Sequence, residues 1–127
     1  MIKEKNVIFF FVLATFLIIG CEELNSPDDY LMIPSQITIE KVEYDTDYNY
    51  YIYLNWRDYR SQHTGFQLTR DDITIAELSQ NNYSYIDKIG STGTYEYRLY
   101  AVNGTIVSSP SYIKIKLNRD TYEWWYE

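Results

Sequence analysis

The chain has 127 residues, 46% hydrophobic and 18% aromatic, with 11 basic against 18 acidic side chains and a formal charge of −7. A chain this acidic carries no cluster of Lys and Arg for a phosphate backbone, which excludes nucleic acid as a partner. One cysteine and one histidine leave too few ligands for a soft metal centre and no relay for covalent catalysis, so the composition points away from an enzyme and from any cofactor.

Met1–Asn6 carries Lys3 and Lys5, and an uninterrupted apolar stretch follows from Val7 to Ile19. Thirteen residues fall short of the roughly 20 that span a bilayer. They suit the hydrophobic region of a signal peptide. The stretch ends Leu17-Ile18-Ile19-Gly20-Cys21, which resembles a lipobox, the aliphatic-x-small-Cys site of bacterial lipoproteins. The resemblance implies a signal peptide over residues 1–20, cleavage after Gly20, and acylation of Cys21. It implies in turn a membrane anchor and a bacterial cell-envelope address. The other reading is an uncut leader with Cys21 as a small apolar residue. A plain secretory peptide fits poorly, because Ile18 is not a small residue at −3 of the cut. With Cys21 acylated, the mature chain has no thiol for disulfide, metal or catalysis.

Removing residues 1–20 leaves nine basic and seventeen acidic side chains, a net charge of −8. Glu22, Glu23, Asp28 and Asp29 supply −4, residues 118–127 supply −2, and the stretch between is −2. Residues 21–33 therefore read as the lipidated cysteine and an acidic tether, broken by Ser26-Pro27. Twelve extended residues reach on the order of 40 Å. The acidic run is either a solvated linker or, by resemblance, a sorting signal for the outer face of the outer membrane.

Beyond Pro34 the pattern is short alternating segments bounded by turn residues, the signature of strands. Gln36–Val42 sets Ile37 and Ile39 on one face. Tyr50–Trp56 sets Ile52, Leu54 and Trp56 against Tyr51, Tyr53 and Asn55. Phe66–Arg70 turns Phe66 and Leu68 inward, and Ile73 and Ile75 follow Asp71-Asp72. Asn82–Ile89 is a weaker strand around Tyr83 and Tyr85. Tyr95–Val102 alternates Tyr95, Tyr97, Leu99 and Ala101 with Glu96, Arg98 and Tyr100. Tyr112–Leu117 turns Ile113, Ile115 and Leu117 inward. Turn signals fall at Asp45–Asp47, Ser61–Gly65, Gln80–Asn82, Gly90–Gly93 and Asn103-Gly104. The expected fold is all-β, an immunoglobulin-like sandwich of about seven strands.

Tyr95-Glu96-Tyr97-Arg98-Leu99-Tyr100-Ala101-Val102-Asn103 resembles the sixth strand of a fibronectin type III domain. Trp56 after Ile52 and Leu54, Phe66-x-Leu68, and Ser108-Ser109-Pro110-Ser111 resemble that family's second, third and seventh strands. The resemblance spans residues 34–117, leaving 118–127 as an aromatic and acidic tail. It implies Trp56, Tyr95 and Leu99 as structural core, with the Tyr95 hydroxyl bonded to backbone near Ile89–Thr92. Ser91 stands where the family's corner proline would be.

Chemistry-bearing residues are few. His63 lies in the Ser61–Gly65 turn and reads as an exposed loop residue. Asp45-Thr46-Asp47 and Asp71-Asp72 lack the spacing of a calcium loop and read as turn formers. Outward-facing Tyr51 and Tyr53, with Tyr48 and Tyr50 just before them, form a stripe suited to a partner or sugar, or to plain cross-strand pairing. Trp124 and Trp125 in the tail either cover an open end of the sandwich, contact a partner or glycan, or touch lipid. The expectation is a non-catalytic, lipid-anchored envelope module that binds another envelope or extracellular protein. A carbohydrate-binding module using Tyr51, Tyr53, Trp124 and Trp125 is the alternative.

Overall fold

The computed structural model describes residues 31–57 and 63–126. The expected signal peptide (1–20), Cys21 and tether residues 22–30 lie outside the described residues. Those described form an all-β sandwich.

Among them are nine strands: β1 (Thr38–Tyr44), β2 (Tyr50–Asn55), β3 (Gly65–Arg70), β4 (Ile73–Ser79), β5 (Ser84–Ile89), β6 (Gly93–Asn103), β7 (Ile106–Val107), β8 (Ser111–Leu117) and β9 (Tyr122–Trp125). The smaller sheet runs β1-β2-β5. The larger runs β4-β3-β6-β8-β9, with β7 paired to β6. All pairs are antiparallel.

Period-two alternation builds both layers, because successive side chains of a strand face opposite sides. On β2, Tyr50, Ile52 and Leu54 are buried and Tyr51, Tyr53 and Asn55 are half-buried on the outer side. On β8, Ile113, Ile115 and Leu117 are buried. These rows meet Phe66, Leu68, Tyr97 and Leu99 in one core. Burying a large apolar side chain stabilises by about 1.5–3 kcal/mol, so these rows dominate the folding of a domain without a disulfide.

Trp56 follows β2, its indole packed edge-on against Phe66 with ring centroids 5.7 Å apart, and its amide donates to the Tyr83 carbonyl at 3.0 Å. Gly65 opens β3 opposite Ser79. A Cβ there would lie 2.5 Å from the Leu78 carbonyl oxygen, so the approach of β3 to β4 requires glycine.

Four sequence expectations need correction. Tyr50 belongs to the buried row of β2 rather than to an outer stripe. His63 is buried, not exposed, with its ring 4.7 Å from that of Phe66. On β5, Tyr85 packs against the core as expected, with Asp87 and Ile89 on the same inward face, while Tyr83 precedes the strand and is exposed. Finally, Tyr122–Trp125 extend the large sheet as β9, with Leu117 opposite Tyr122 and Lys114 opposite Trp125. A two-residue turn at Arg119-Asp120, closed by the Asn118 amide donating to Thr121 oxygen at 2.8 Å, explains this. The tail folds straight back on β8 and so continues the domain.

Candidate functional site

Strand register gathers four turns at one end of the sandwich: Asp45–Asn49, Asp71-Asp72, Gly90–Thr92 and Asn118–Thr121. The segment leading from Leu31 into β1 joins at the other end, where Thr38 pairs with Asn55.

The first turn is built on Asp45. Its Oδ1 accepts the backbone amides of Asp47 at 2.9 Å and Asn49 at 3.0 Å. The Tyr51 hydroxyl donates to Oδ2 at 3.1 Å. The Asn49 amide, followed by the other donors, holds the Asp45 carboxyl below the usual aspartate range against a partial desolvation that raises it. Tyr48 then closes the turn through its amide to the Asp45 carbonyl at 3.1 Å. It does so with φ of +64°, a left-handed conformation that costs a bulky L-residue roughly 1–2 kcal/mol.

The strained Tyr48 ring projects into solvent, 57% exposed, and the Arg119 guanidinium lies 5.6 Å from its centroid. Beneath them the Tyr50 hydroxyl crosses between sheets and donates to the carbonyls of Asn118 at 2.9 Å and Arg119 at 3.3 Å. It thereby fixes the β8–β9 turn. Tyr48, Tyr50, Gly90, Ser91, Thr92 and Arg119 line an open groove of about 370 Å³. On the far side of the same turn, a smaller hollow of about 70 Å³ is walled by Tyr44 and Tyr122. The surface is thus tyrosine, arginine and small hydroxyl residues on loops held by a rigid sandwich.

The four aromatic residues singled out as ligand contacts do not converge. Tyr51 and Tyr53 lie on the outer face of the small sheet, where their hydroxyls donate to Asp45 and to Glu43 at 2.8 Å. The Lys41 ammonium stands 4.5 Å from the Tyr53 ring centroid and 3.1 Å from Glu43. This is cross-strand pairing, with Lys41 opposite Tyr53 and Glu43 opposite Tyr51. Trp124 and Trp125 point to opposite faces of β9, beside Ile115 and Lys114 respectively. Trp124 contacts Tyr126 edge-on, with centroids 5.6 Å apart, so the two rings present no common flat platform.

Of the structural residues, Trp56 and Leu99 lie in the buried core. Tyr95 is half-buried and its hydroxyl donates to the Ser91 carbonyl at 2.9 Å, with the Ser91 hydroxyl 2.8 Å away. Cys21 is outside the described residues.

Sequence reasoning missed two features. Tyr48 and Arg119 meet only because two turns distant in sequence share one end, and the signal available was a tyrosine inside an Asx-type turn. The second is a polar cluster inside the sandwich. Asp87 of β5 receives Arg70 of β3 at 2.5 Å and the Tyr97 hydroxyl of β6 at 2.7 Å. Burial, then the Asp87 charge, drives the Tyr97 hydroxyl far above the ordinary tyrosine range. The Arg70 guanidinium loses some basicity to burial but gains more from Asp87. Asp87 and Tyr97 are buried, and Arg70 keeps partial access to water. Among the described residues no group of three or more His, Cys, Asp or Glu is placed to hold a metal ion. No protein-family model matches the chain, and no curated protein matches it.

Proposed function

We propose that the chain is a bacterial lipoprotein, anchored to the cell envelope through acylated Cys21, whose single fibronectin type III-like domain binds another envelope or extracellular protein and performs no chemistry of its own. The lipobox-like Ile18-Ile19-Gly20-Cys21 and the preceding apolar run support the anchor. Two or more acyl chains hold a protein on a membrane stably where one does not. The sheet orders β1-β2-β5 and β4-β3-β6-β8, together with Trp56 in the core and the Tyr95 hydroxyl on Ser91, support the family likeness.

One observation carries the binding role: exposed Tyr48, strained and with the Arg119 guanidinium 5.6 Å from its ring centroid, over a groove edged by Ser91 and Thr92. Tyrosine and arginine are the residues that concentrate binding energy at protein interfaces, and small hydroxyl and glycine residues supply adaptable contacts. Backbone strain of this kind persists where surrounding structure enforces it and clusters at functional sites. The groove sits at the end opposite to the one where the chain enters β1 at Thr38.

The glycan reading has less support, since Tyr51 and Tyr53 are tied to neighbouring carboxylates and the two tryptophans diverge. Quenching of tryptophan fluorescence by soluble glycans, abolished by Trp124→Ala and Trp125→Ala, would restore it.

The test is a photo-crosslinking amino acid placed at Tyr48, and in parallel at Tyr53, in living cells. A discrete protein adduct from position 48 and none from position 53 is the expected result. No adduct from 48, or equal adducts from both, would overturn the binding role. Release of the Cys21→Ala chain from the membrane fraction tests the anchor separately.

A further inference from the structure

A β-sandwich exposes sheet edges, and natural sheets guard them with bulges, inward-pointing charges or lysines, because an unguarded edge pairs with another strand. Three edges here are guarded. The β1 edge has a bulge between Ile39 and Lys41 and carries Glu40, Lys41 and Glu43. The β4 edge has an irregularity where Thr74 and Ala76 oppose adjacent β3 residues, leaving Ile75 extra. The β5 edge turns the charged Asp87 inward. Among the described residues, β9 is the edge with none of these: it pairs regularly with β8 and contains no proline, lysine or bulge.

The hydrogen-bonding phase of β9 follows from its turn. The Asn118 amide bonds to Thr121 oxygen, and antiparallel pairs alternate between bonded and non-bonded. Glu123 and Trp125 therefore direct their amides and carbonyls toward β8, and Tyr122, Trp124 and Tyr126 direct theirs outward. The side chains of those same three residues lie on the face of Ile115 and Leu117. Each is more than two-fifths exposed.

We infer that β9 pairs with β9 of a second copy of this chain, antiparallel and centred on Trp124, joining the two large sheets into one. Self-complementarity selects this occupant and this register. Centring on Trp124 sets Trp124 opposite its counterpart, Tyr122 opposite Tyr126, and Glu123 opposite Trp125. All three outward-directed residues are then bonded, and the exposed aromatic rows meet on one face. Centring on Glu123 would set that carboxylate against itself, a destabilising like-charge pair. Centring on Trp125 would part Tyr122 from Tyr126 and set Trp124 against Tyr126 instead. The inference stands apart from the loop-end groove, which lies at the turns and not along this edge.

Cysteine crosslinking of the full-length protein in cells tests it. Directly opposed residues of a bonded antiparallel pair have Cα atoms about 5.5 Å apart, inside the range a disulfide accepts. Trp124→Cys is expected to give a reductant-sensitive band at twice the chain mass for most of the protein. Glu77→Cys on β4 and the parent chain, carrying only Cys21, are expected to give at most a few per cent of such a band. Light scattering of the parent in detergent should report a dimer, and Trp124→Lys should reduce it to monomer with unchanged circular dichroism. Monomer throughout, equal crosslinking from Glu77→Cys, or a Trp124→Cys adduct only with a different protein would each overturn the inference.

Discussion

The Tyr97 hydroxyl donates to Asp87 Oδ2 at 2.7 Å across the sandwich, onto the same oxygen that Arg70 reaches at 2.5 Å. One carboxylate thus ties β5 of the small sheet to β3 and β6 of the large one. Such a cluster gains little over well-packed apolar residues, yet removing one member leaves the others unpaired at a cost of 3–5 kcal/mol, as an order of magnitude. Arg70 keeps partial access to water, with its side chain 29% exposed, which places Asp87→Ala near the lower end, about 3 kcal/mol. Urea unfolding at pH 7 measures it. A loss below about 1 kcal/mol would show that the sheets do not depend on this link.

The same hydroxyl sets an alkaline limit. Burial, then Asp87, holds Tyr97 protonated far above its ordinary value. A raised folded value gives stability that is fully present below the unfolded pKa of about 10. Above it the unfolded chain releases the proton and the folded chain does not, so stability falls as pH rises. One proton corresponds to about 1.4 kcal/mol per pH unit. Tyr97→Phe should cost about 1.5–3 kcal/mol at pH 8 through the lost bond to a charged acceptor, and should fall less steeply than the parent from pH 10 to 11. Parallel slopes would refute the assignment.

Alternation made most of the fold legible. Ile52-Tyr53-Leu54 and Tyr95 through Ala101 each show their buried face in the sequence, because one sheet side meets the core and the other meets water. Asp87 was not legible: an acid among Tyr85, Ile86 and Ile89 reads as an outward residue, and only Arg70 and Tyr97 on another sheet make it an inward one. The tail failed as a strand for a local reason. Arg119-Asp120 carries no glycine or asparagine to signal a two-residue hairpin. The groove was invisible because Tyr48 and Arg119 stand 71 positions apart in the chain (119 − 48) and meet only through the topology.

Trp56 is buried where the strand leaves the small sheet, edge-on against Phe66. Truncating a buried aromatic to alanine costs about 3–5 kcal/mol through lost transfer energy and the cavity left behind. A domain of this size has a stability of order 5–15 kcal/mol and no disulfide to fall back on. Trp56→Ala is therefore expected to fail to accumulate in cells, while Trp56→Phe accumulates with a lowered melting temperature. A soluble Trp56→Ala chain that unfolds cooperatively near the parent's midpoint would remove Trp56 from the centre of the core.

Tyr48 offers a way to separate binding from folding. Replacing it with glycine removes a left-handed strain of roughly 1–2 kcal/mol. Against this, glycine loses about 0.5–1 kcal/mol more backbone entropy on folding, and the exposed ring gives up about 0.5–1 kcal/mol of attraction to Arg119. These contributions nearly cancel, so Tyr48→Gly should melt within a few degrees of the parent. The groove, however, loses its only exposed aromatic wall. Crosslinking from a probe at Thr92 should fall at least tenfold in Tyr48→Gly and persist in Tyr48→Phe, which keeps the ring. A residue retained for structure alone would behave oppositely: the glycine variant would lose more than about 2 kcal/mol of stability while crosslinking of the folded fraction stayed at the parent level.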